Sequence, residues 1–201
     1  ITSTTGISAV LIGGSTIHSY LKIGLGTKSQ SRLIDEIMKK QFMKDKWTKT
    51  DVLIIDEISM MNPDLFDKLD NIARFVRGDD RPFGGMQVIL SGDFCQLPCV
   101  KTDKFCFEAE NWDEVIDKTI HLDEIIRQKD DKFQTCLNKI RLGIIDEEVQ
   151  KLFNKRINAK LRNDLGIKPT QLYPTNRSVD QINTECLEKL VKKKEVCLNA
   201  F

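Results

Sequence analysis

The chain has 201 residues, of which 40% are hydrophobic and 30% charged, a balance typical of globular proteins that argues against a disordered chain. Its longest apolar run is only a few residues, so no membrane span and no membrane partner are predicted. The formal net charge is +1, which excludes a uniformly basic coat for nucleic acid.

The charge is unevenly distributed along the chain. It sums to +5 over residues 1–50, −10 over 51–150 and +6 over 151–201. The two basic ends fit either nucleic-acid contacts or solvated helix faces, and both interpretations stay open. Six cysteines without a C-x-x-C pair, beside two histidines, predict no structural zinc and fit a reducing intracellular compartment. A nucleus, a mitochondrion or a viral replication site would all meet that condition.

The first predicted element is a helix over Ser31–Lys44, because its apolar residues recur at helical spacing. We expect five side chains to face the core: Leu33, Ile34, Ile37, Met38 and Phe42.

Two buried parallel strands come next, over Asp51–Asp56 and Gln87–Asp93, since continuous rather than alternating apolarity indicates that both faces are covered. Asn62-Pro63 starts the helix between them and Gly78 ends it. Its core face is Leu65, Phe66, Leu69, Ile72, Ala73 and Val76, and its solvent face is Asp64, Asp67, Lys68, Asp70, Arg74 and Arg77. Strand, helix and strand form a βαβ unit of an α/β fold, with its functional edge at the carboxyl ends of the strands.

The rest of the chain carries shorter signals. Ile120–Leu122 and the stretch near Leu172 predict short strands, and helices are predicted over Phe133–Leu142 and Glu147–Ile157. The turn-rich stretch Asn163–Pro169 predicts a boundary between a domain over 1–162 and another over 163–201. The last predicted helix begins at Ser178 and carries Val179, Ile182, Cys186 and Leu190.

The strongest chemical signal is Leu53-Ile54-Ile55-Asp56-Glu57, an apolar strand that ends in two carboxylates and has the form of a Walker B site. Asp56 is the candidate ligand for Mg²⁺, and Glu57 is the candidate base that orients and deprotonates an attacking water. A strand also ends in Asp-Glu simply where it reaches solvent, and this alternative stays open.

A second signal follows the next strand, in Gly92-Asp93-Phe94-Cys95-Gln96-Leu97-Pro98. It brings the carboxamide of Gln96 toward the same edge as Asp56, where it can contact a γ-phosphate. The alternative is a Gly-Asp turn that a proline ends.

These motifs resemble those of a known family. Asp51–Met61 resembles helicase motif II, and Gly84–Val100 resembles motif III of Pif1-like helicases. Between them, Asp64–Gly85 is similar to the segment that separates the Pif1 family from other superfamily 1 helicases, and we call it the signature segment. The resemblance implies most of a RecA-like P-loop NTPase domain with a parallel sheet, followed by the start of a second RecA-like domain.

The front of the chain resembles the motif Ia region of the family, in Ser3–Ala9 and Ile12–Ser19. The implied contacts to DNA phosphates are Thr5, Gly6, Thr16, His18 and Ser19. Taken without the family, His18 would be a capping or core histidine.

Two later stretches agree with the family. Leu122–Gln128 resembles motif IV, and Arg127 is the implied arginine that reaches the γ-phosphate and stabilises the transition state. Without the family Arg127 would be a surface charge. Leu172–Asn183 resembles the entry to the second domain, where Asn176 caps a helix or touches DNA.

The implied activity is that of an ATP-dependent DNA helicase that moves 5′→3′ along single-stranded DNA and unwinds duplexes in replication, repair or recombination. ATP and Mg²⁺ are the implied cofactors, single-stranded DNA and forks the implied partners, and a monomer the implied state. The DNA is expected on the side opposite the nucleotide residues. Two alternatives stay open: a RecD-like motor subunit of a nuclease complex, and a degenerate DNA-binding module that does not hydrolyse ATP.

The sequence departs from the family in three respects. It contains no GxxxxGK[ST] loop and none of the later motifs of the second domain, and Cys99 and Ile126 stand where the family usually has a proline and an aromatic residue. We read these two substitutions as packing changes. From the start at Ile1, we expect the phosphate loop to precede this chain, and we expect the 201 residues alone to hydrolyse no ATP.

Overall fold

A parallel sheet of four strands organises the front of the computed structural model, which describes residues 1–100, 102–159 and 170–193. The strands are β1 (Thr2–Ser3), β2 (Ser15–Thr16), β3 (Val52–Asp56) and β4 (Gln87–Leu90), in the order β2-β1-β3-β4. The two strands predicted from continuous apolar runs are β3 and β4, which pair in parallel. The α/β class with a parallel sheet is therefore confirmed.

Helices connect the strands of the sheet, and more helices follow β4. The α-helices of the described residues are α1 (Gly6–Leu11), α2 (Ile17–Tyr20), α3 (Gln30–Lys39), α4 (Gln41–Thr48), α5 (Pro63–Arg77), α6 (Trp112–Val115), α7 (Asp131–Arg141), α8 (Glu147–Asn154) and α9 (Asn176–Lys193). The limits predicted for α5 are confirmed: the Asn62 side chain accepts from the backbone N–H groups of Asp64 and Leu65, and Gly78 ends the helix in the left-handed conformation. Helix α8 ends three residues before the predicted Ile157.

The core lies on one face of the sheet. Leu53 and Ile55 of β3 are buried there with residues of α3, α4 and α5, including Leu33, Ile37, Trp47, Phe66, Leu69 and Ile72. On the other face, Val52 and Ile89 are 44% and 43% exposed. The prediction that both faces are covered therefore holds for one face within the described residues.

The helix predicted over Ser31–Lys44 is wrong in its length. The backbone leaves the helical region at Lys40, with φ −125° and ψ 107°, and the carbonyl of Lys40 starts α4 by accepting from the amide of Met43. This restart changes the helical phase, so that Met43 and Trp47 enter the core. Met38 and Phe42, which were predicted to face inward, are exposed.

Two predicted strands are absent from the described part of the chain. Ile120–Leu122 and the residues around Leu172 have no regular structure, and Leu122 and Leu172 are 92% and 93% exposed. An apolar run becomes a strand only where a neighbouring strand satisfies its backbone groups, and neither stretch has such a neighbour in the described residues. In α9, Cys186 and Leu190 are exposed, whereas Val179 and Ile182 are half-buried.

A buried carboxylate holds the signature segment together, which corrects the prediction that Asp70 and Arg74 face solvent. Asp70 is fully buried, and it accepts from the guanidinium of Arg74, from the backbone amide of Phe83 (2.5 Å) and from the side-chain Nδ2 of Asn111 (2.8 Å). Arg74 also pairs with Glu114 at 2.9 Å. The carboxylate thus joins α5 to the loop Pro82–Gly85 and to the start of α6.

Arg77 also differs from the prediction, because its guanidinium turns inward to backbone carbonyls. It donates to the carbonyl of Gly84 and to three carbonyls at the end of α4, those of Trp47, Thr48 and Thr50. Gly84 is required there, since its φ is +60° and a Cβ would lie 2.7 Å from the carbonyl oxygen of Ala73. The signature segment is therefore a structural clamp.

We expect Asp70→Ala to lower the free energy of unfolding by roughly 3–5 kcal/mol, the range for removing one partner of a buried ion pair. The guanidinium of Arg74 and the amide of Phe83 would lose their buried acceptor. Urea unfolding of the protein measures this, with Asp35→Ala on the exposed face of α3 as the control, for which we expect a change within about 0.5 kcal/mol. Equal effects of the two substitutions on the free energy of unfolding would contradict the role of Asp70 in holding the signature segment together.

The chain divides into two compact units, Ile1–Asn154 and Lys155–Phe201. All four strands belong to the first unit, and α9 belongs to the second. The predicted joint Asn163–Pro169 lies outside the described residues, so the domain limits 1–162 and 163–201 stay a prediction.

Candidate nucleotide and DNA site

The carboxyl ends of the strands form one edge, and the predicted site residues other than Arg127 lie along it. The register pairs Ser3 with Asp56 and with Thr16, and it pairs Ile55 with Leu90. The sheet therefore aligns the residues that follow β2, β1, β3 and β4. The expectation that the DNA residues lie opposite the carboxylates is wrong: the two sets adjoin on the same edge.

Asp56 is the last residue of β3, and its carboxylate is held by a residue that the sequence did not single out. Ser8 Oγ donates to Asp56 Oδ2 at 2.8 Å. Ser8 lies in the first turn of α1, where its amide donates to the Oγ1 of Thr5, the N-cap. The sequence pattern Thr5-x-x-Ser8 indicates that a helix starts after Thr5, but it does not indicate that Ser8 contacts Asp56. That contact requires β1 and β3 to be neighbours in the sheet.

The donor set at this edge fits Mg²⁺ carried by a nucleotide. Mg²⁺ is usually bound through one or two carboxylates, with the remaining ligands supplied by water and substrate phosphates. Asp56 is half-buried and keeps a second carboxylate oxygen besides the one that Ser8 contacts. The described residues contain no group of three or more His, Cys, Asp or Glu placed to hold a metal ion.

Glu57 has a strained backbone, with φ 57° and ψ 45° in the left-handed region that glycine favours. Two contacts impose this turn: Thr4 Oγ1 donates to the carbonyl of Glu57 at 2.9 Å, and the amide of Ile58 donates to the carbonyl of Ser91 at 3.0 Å. Strain of this kind concentrates at functional sites. The turn directs the chain away from β3 directly after Asp56, and it leaves Glu57 half-buried at the edge.

Gly92 brings the loop after β4 against this turn. A Cβ on Gly92 would lie 2.9 Å from the amide nitrogen of Ile58, so only glycine permits the approach. Asp93 and Gln96 follow in this loop. The Gln96 side chain is exposed and donates through Nε2 to Asp93 Oδ2 at 3.1 Å.

Arg127 is not brought to the carboxylates. It lies in the stretch between α6 and α7 that has no regular structure, and its side chain is exposed. No ion pair joins it to Asp56 or Glu57 in the described residues. A single arginine in an irregular stretch has no backbone pattern that fixes its direction, which is why its place could not be predicted.

Two predicted DNA residues have structural duties in the described chain. Thr5 Oγ1 caps α1, and Thr16 Oγ1 caps α2 by accepting from the amide of Ser19 at 3.2 Å. Gly6 and Ser19 are exposed in the first turns of these helices. Capping aligns the helix starts with the edge, where their free amides can meet a phosphate.

His18 lines a cavity of about 400 Å³ at the β2 end of the edge. The lining includes Thr4, Leu25, Met61 and Lys68. Burial lowers the pKa of His18, so the imidazole is neutral near pH 7 and offers one N–H donor. Lys68 was predicted to face solvent, but its ammonium donates to the carbonyls of Gly26 (2.9 Å) and Lys28 (3.0 Å) beside the cavity.

Cysteines and long helices add no further site in the part of the chain that the structure describes. Cys95, Cys99, Cys106, Cys136 and Cys186 are free thiols, and burial raises the pKa of Cys106 to about 12. No helix of the described ranges has the length and apolarity that crossing a membrane requires.

A match to a known family model shows which family the chain belongs to. A family model described as a PIF1-like helicase matches residues 1–151. The chain belongs to the PIF1-like helicase family. The resemblance seen in motifs II, III and the signature segment is thereby confirmed.

Individual relatives agree with this assignment. The ATP-dependent DNA helicase RRM3 of Saccharomyces cerevisiae is 45% identical over 196 residues, which cover 94% of this chain and 27% of RRM3. The crystal structure of the Pif1 helicase from Candida albicans matches with a TM-score of 0.87 and 42% identity, over 94% of this chain and 43% of that one. A Bacteroides Pif1 helicase in complex with ADP-AlF3 and ssDNA matches with a TM-score of 0.79 and 28% identity, over 93% of this chain and 46% of that one.

The PIF1-like chain therefore has the RecA-like α/β fold of these helicases. It spans about a quarter of RRM3 and less than half of the two solved Pif1 chains.

Proposed function

We propose that the protein is an ATP-dependent DNA helicase of the Pif1 type, and that the carboxyl edge of the sheet holds its nucleotide. One observation carries the proposal: in a PIF1-like chain, Asp56 and the strained Glu57 end a buried strand directly beside the Gly92–Gln96 loop. A relative named as an ATP-dependent DNA helicase and one solved with ADP-AlF3 and ssDNA support it.

Each residue of the edge has a distinct task in this proposal. Asp56, oriented by Ser8, would hold the Mg²⁺ that neutralises phosphate charge, and Glu57 would take the proton of the attacking water. Gln96 would turn from Asp93 to contact the γ-phosphate, and Arg127 would stabilise charge there in the transition state. The exposure of both Gln96 and Arg127 leaves them free to move to a nucleotide.

Single-stranded DNA would run along the β2 end of the same edge. Gly6, at the start of α1, would offer its backbone amide to a phosphate, and Ser19, at the start of α2, would offer its exposed hydroxyl. Thr5 and Thr16 would hold these helix starts in place as their N-caps. His18 would donate one hydrogen bond from the cavity wall. Because Ser8 belongs to α1 and also contacts Asp56, the DNA contacts and the nucleotide contacts would share one short helix.

We further propose that the protein moves in the 5′→3′ direction and acts at forks. In this proposal it is a monomer in a reducing intracellular compartment. The rival assignment to a RecD-like subunit is less favoured, because the family match includes the whole signature segment. The rival of a non-hydrolysing DNA-binding module is less favoured because Asp56, Glu57, Gln96 and Arg127 are all present.

Unwinding of tailed duplexes tests the proposal. The full-length protein is expected to separate a duplex that carries a 5′ single-stranded tail, only with Mg²⁺ and ATP, and to leave a 3′-tailed duplex largely paired. Unwinding of the 3′-tailed duplex alone would overturn the polarity. Tight binding of single strands without unwinding or ATP turnover would favour the DNA-binding module.

His18→Ala is expected to weaken single-strand binding about fivefold, the loss for one neutral hydrogen bond of about 1 kcal/mol. The loss should be equal on oligo-dT and on mixed sequences, since a phosphate contact reads no bases. The slope of log K against log salt should not change, because a neutral imidazole releases no counterion. Thr5 is left intact, since its removal would uncap α1.

The control for this prediction is His121→Ala, which removes the exposed second histidine. Fluorescence-anisotropy titrations at several salt concentrations measure the affinity for single strands, its dependence on base sequence and the slope of log K against log salt. A loss restricted to one sequence, or an equal loss in the His121 variant, would count against a phosphate contact by His18.

A further inference from the structure

The loop that follows β4 is fastened to α7 by an ion pair. Arg141 Nε donates to Asp93 Oδ2 at 2.7 Å, and Arg141 Nη2 donates to Asp93 Oδ1 at 2.9 Å. A two-point contact of this kind fixes the plane of the carboxylate as well as its position. Arg141 is about half exposed, so its main effect is geometric rather than a large gain in stability.

The same carboxylate organises the loop that carries Gln96. Asp93 Oδ1 accepts from the amide of Cys95 at 3.0 Å, and Oδ2 accepts from Gln96 Nε2 at 3.1 Å. The amide of Gln96 also donates to the carbonyl of Asp93 at 2.9 Å. The hydrogen bond from Arg141 lowers the pKa of Asp93 to about 2, so the carboxylate stays an acceptor at physiological pH.

The ion pair also connects the loop to the segment that carries Arg127. Helix α7 begins at Asp131, shortly after Arg127, and the side chain of Gln134 donates to the carbonyl of Gln128. The segment next to Arg127 is thus tied to α7, and α7 is tied through Arg141 to the loop of Gln96. Gly92 fixes the other end of that loop against Ile58.

We propose that Arg141 is a positioning residue for ATP hydrolysis: by clamping Asp93, it sets the place of Gln96 relative to α7 and to the Arg127 segment. In this role Arg141 acts through Asp93 rather than by a contact of its own with the nucleotide or the attacking water. The inference rests on the proposed function, in which Gln96 and Arg127 meet the γ-phosphate.

Steady-state ATP hydrolysis by the full-length protein tests the catalytic part. Arg141→Ala is expected to lower kcat by up to about 100-fold, the cost of misplacing groups by about 1 Å, while KM for ATP and affinity for single-stranded DNA change little. Arg141→Lys should recover part of the loss, because an ammonium keeps the charge but not the two-point contact. Arg141→Ala with Asp93→Asn should cost hardly more than either change alone, since both break one contact.

A second readout does not depend on catalysis. Hydrogen exchange of the amides of Cys95 and Gln96 should accelerate in Arg141→Ala, whereas exchange in β3 should stay unchanged. Lys132→Ala, an exposed cation on the same helix, serves as the matched control and should alter neither kcat nor exchange.

The two readouts separate failure of this inference from failure of the proposed function. Unchanged exchange in the loop would overturn the clamp whether or not the protein hydrolyses ATP. Faster exchange with an unchanged kcat, or additive effects in the double variant, would overturn the role in hydrolysis. A wild-type protein without ATP turnover would refute the proposed function, and with it the role in hydrolysis, while the exchange data would still decide the clamp.

Discussion

Glu57→Gln in the full-length protein should lower the kcat of DNA-stimulated ATP hydrolysis by about 10²–10⁴-fold, the contribution typical of a general base. The substitution keeps the size of the side chain, but it removes the negative charge and with it the ability to take a proton. Nucleotide affinity should stay nearly unchanged, because Asp56 and its contact with Ser8 remain in place. Turnover and nucleotide binding are to be measured side by side.

Asp51→Asn is the matched control for this substitution. Asp51 immediately precedes β3, at the end of the strand opposite Asp56, and it is exposed. The Asp51→Asn substitution should therefore leave the kcat of ATP hydrolysis unchanged. Near-normal turnover in Glu57→Gln, or an equal loss in both variants, would remove the base from this position.

Arg127→Ala should lower hydrolysis by about 10³–10⁵-fold, the range for an arginine that stabilises the transition state of phosphoryl transfer. Binding of single-stranded DNA should change little, because the proposed DNA contacts lie at α1 and α2. The effect is expected even though Arg127 has no ion pair with Asp56 or Glu57, since an exposed side chain in an irregular stretch is free to reach a bound phosphate.

Lys129→Ala removes an exposed cation from the same stretch and controls for a general loss of positive charge. It should leave hydrolysis within about twofold of the wild type. If DNA affinity falls sharply in Arg127→Ala while hydrolysis survives, Arg127 belongs to the DNA path instead.

The parts of the fold that could be predicted are those that local chemistry determines. Continuous apolar runs located β3 and β4, and Asn62-Pro63 and Gly78 located both ends of α5. These signals are strong because apolar runs and capping residues are patterns of residues adjacent in the chain.

The parts that could not be predicted depend on contacts between distant residues. Asp70 and Arg77 look like solvent-facing charges on a helical wheel, but the loop Pro82–Gly85 and the end of α4 provide buried partners for them. The break at Lys40 exchanges Phe42 for Trp47 in the core, and helical periodicity alone cannot show it.

The site was predicted in part for the same reason. Asp56 ends a strand, and Glu57 and Gln96 follow strands, so the sequence indicated that they share an edge. The contact of Ser8 with Asp56, the left-handed turn at Glu57 and the clamp of Arg141 on Asp93 join residues that are far apart in the chain or require a backbone angle. For Arg127, the sequence suggested a role through family resemblance, and that role stays a prediction.

The central proposal is that the carboxyl edge of the sheet is the ATP site of an ATP-driven motor whose turnover DNA stimulates. Its most direct test is ATP turnover by the full-length protein at saturating Mg·ATP, measured with increasing concentrations of single-stranded DNA, for the wild type and for Glu57→Gln. We expect turnover that rises with DNA in the wild type and stays near zero in the variant. Turnover that is indifferent to DNA, or that persists in the variant, would contradict it.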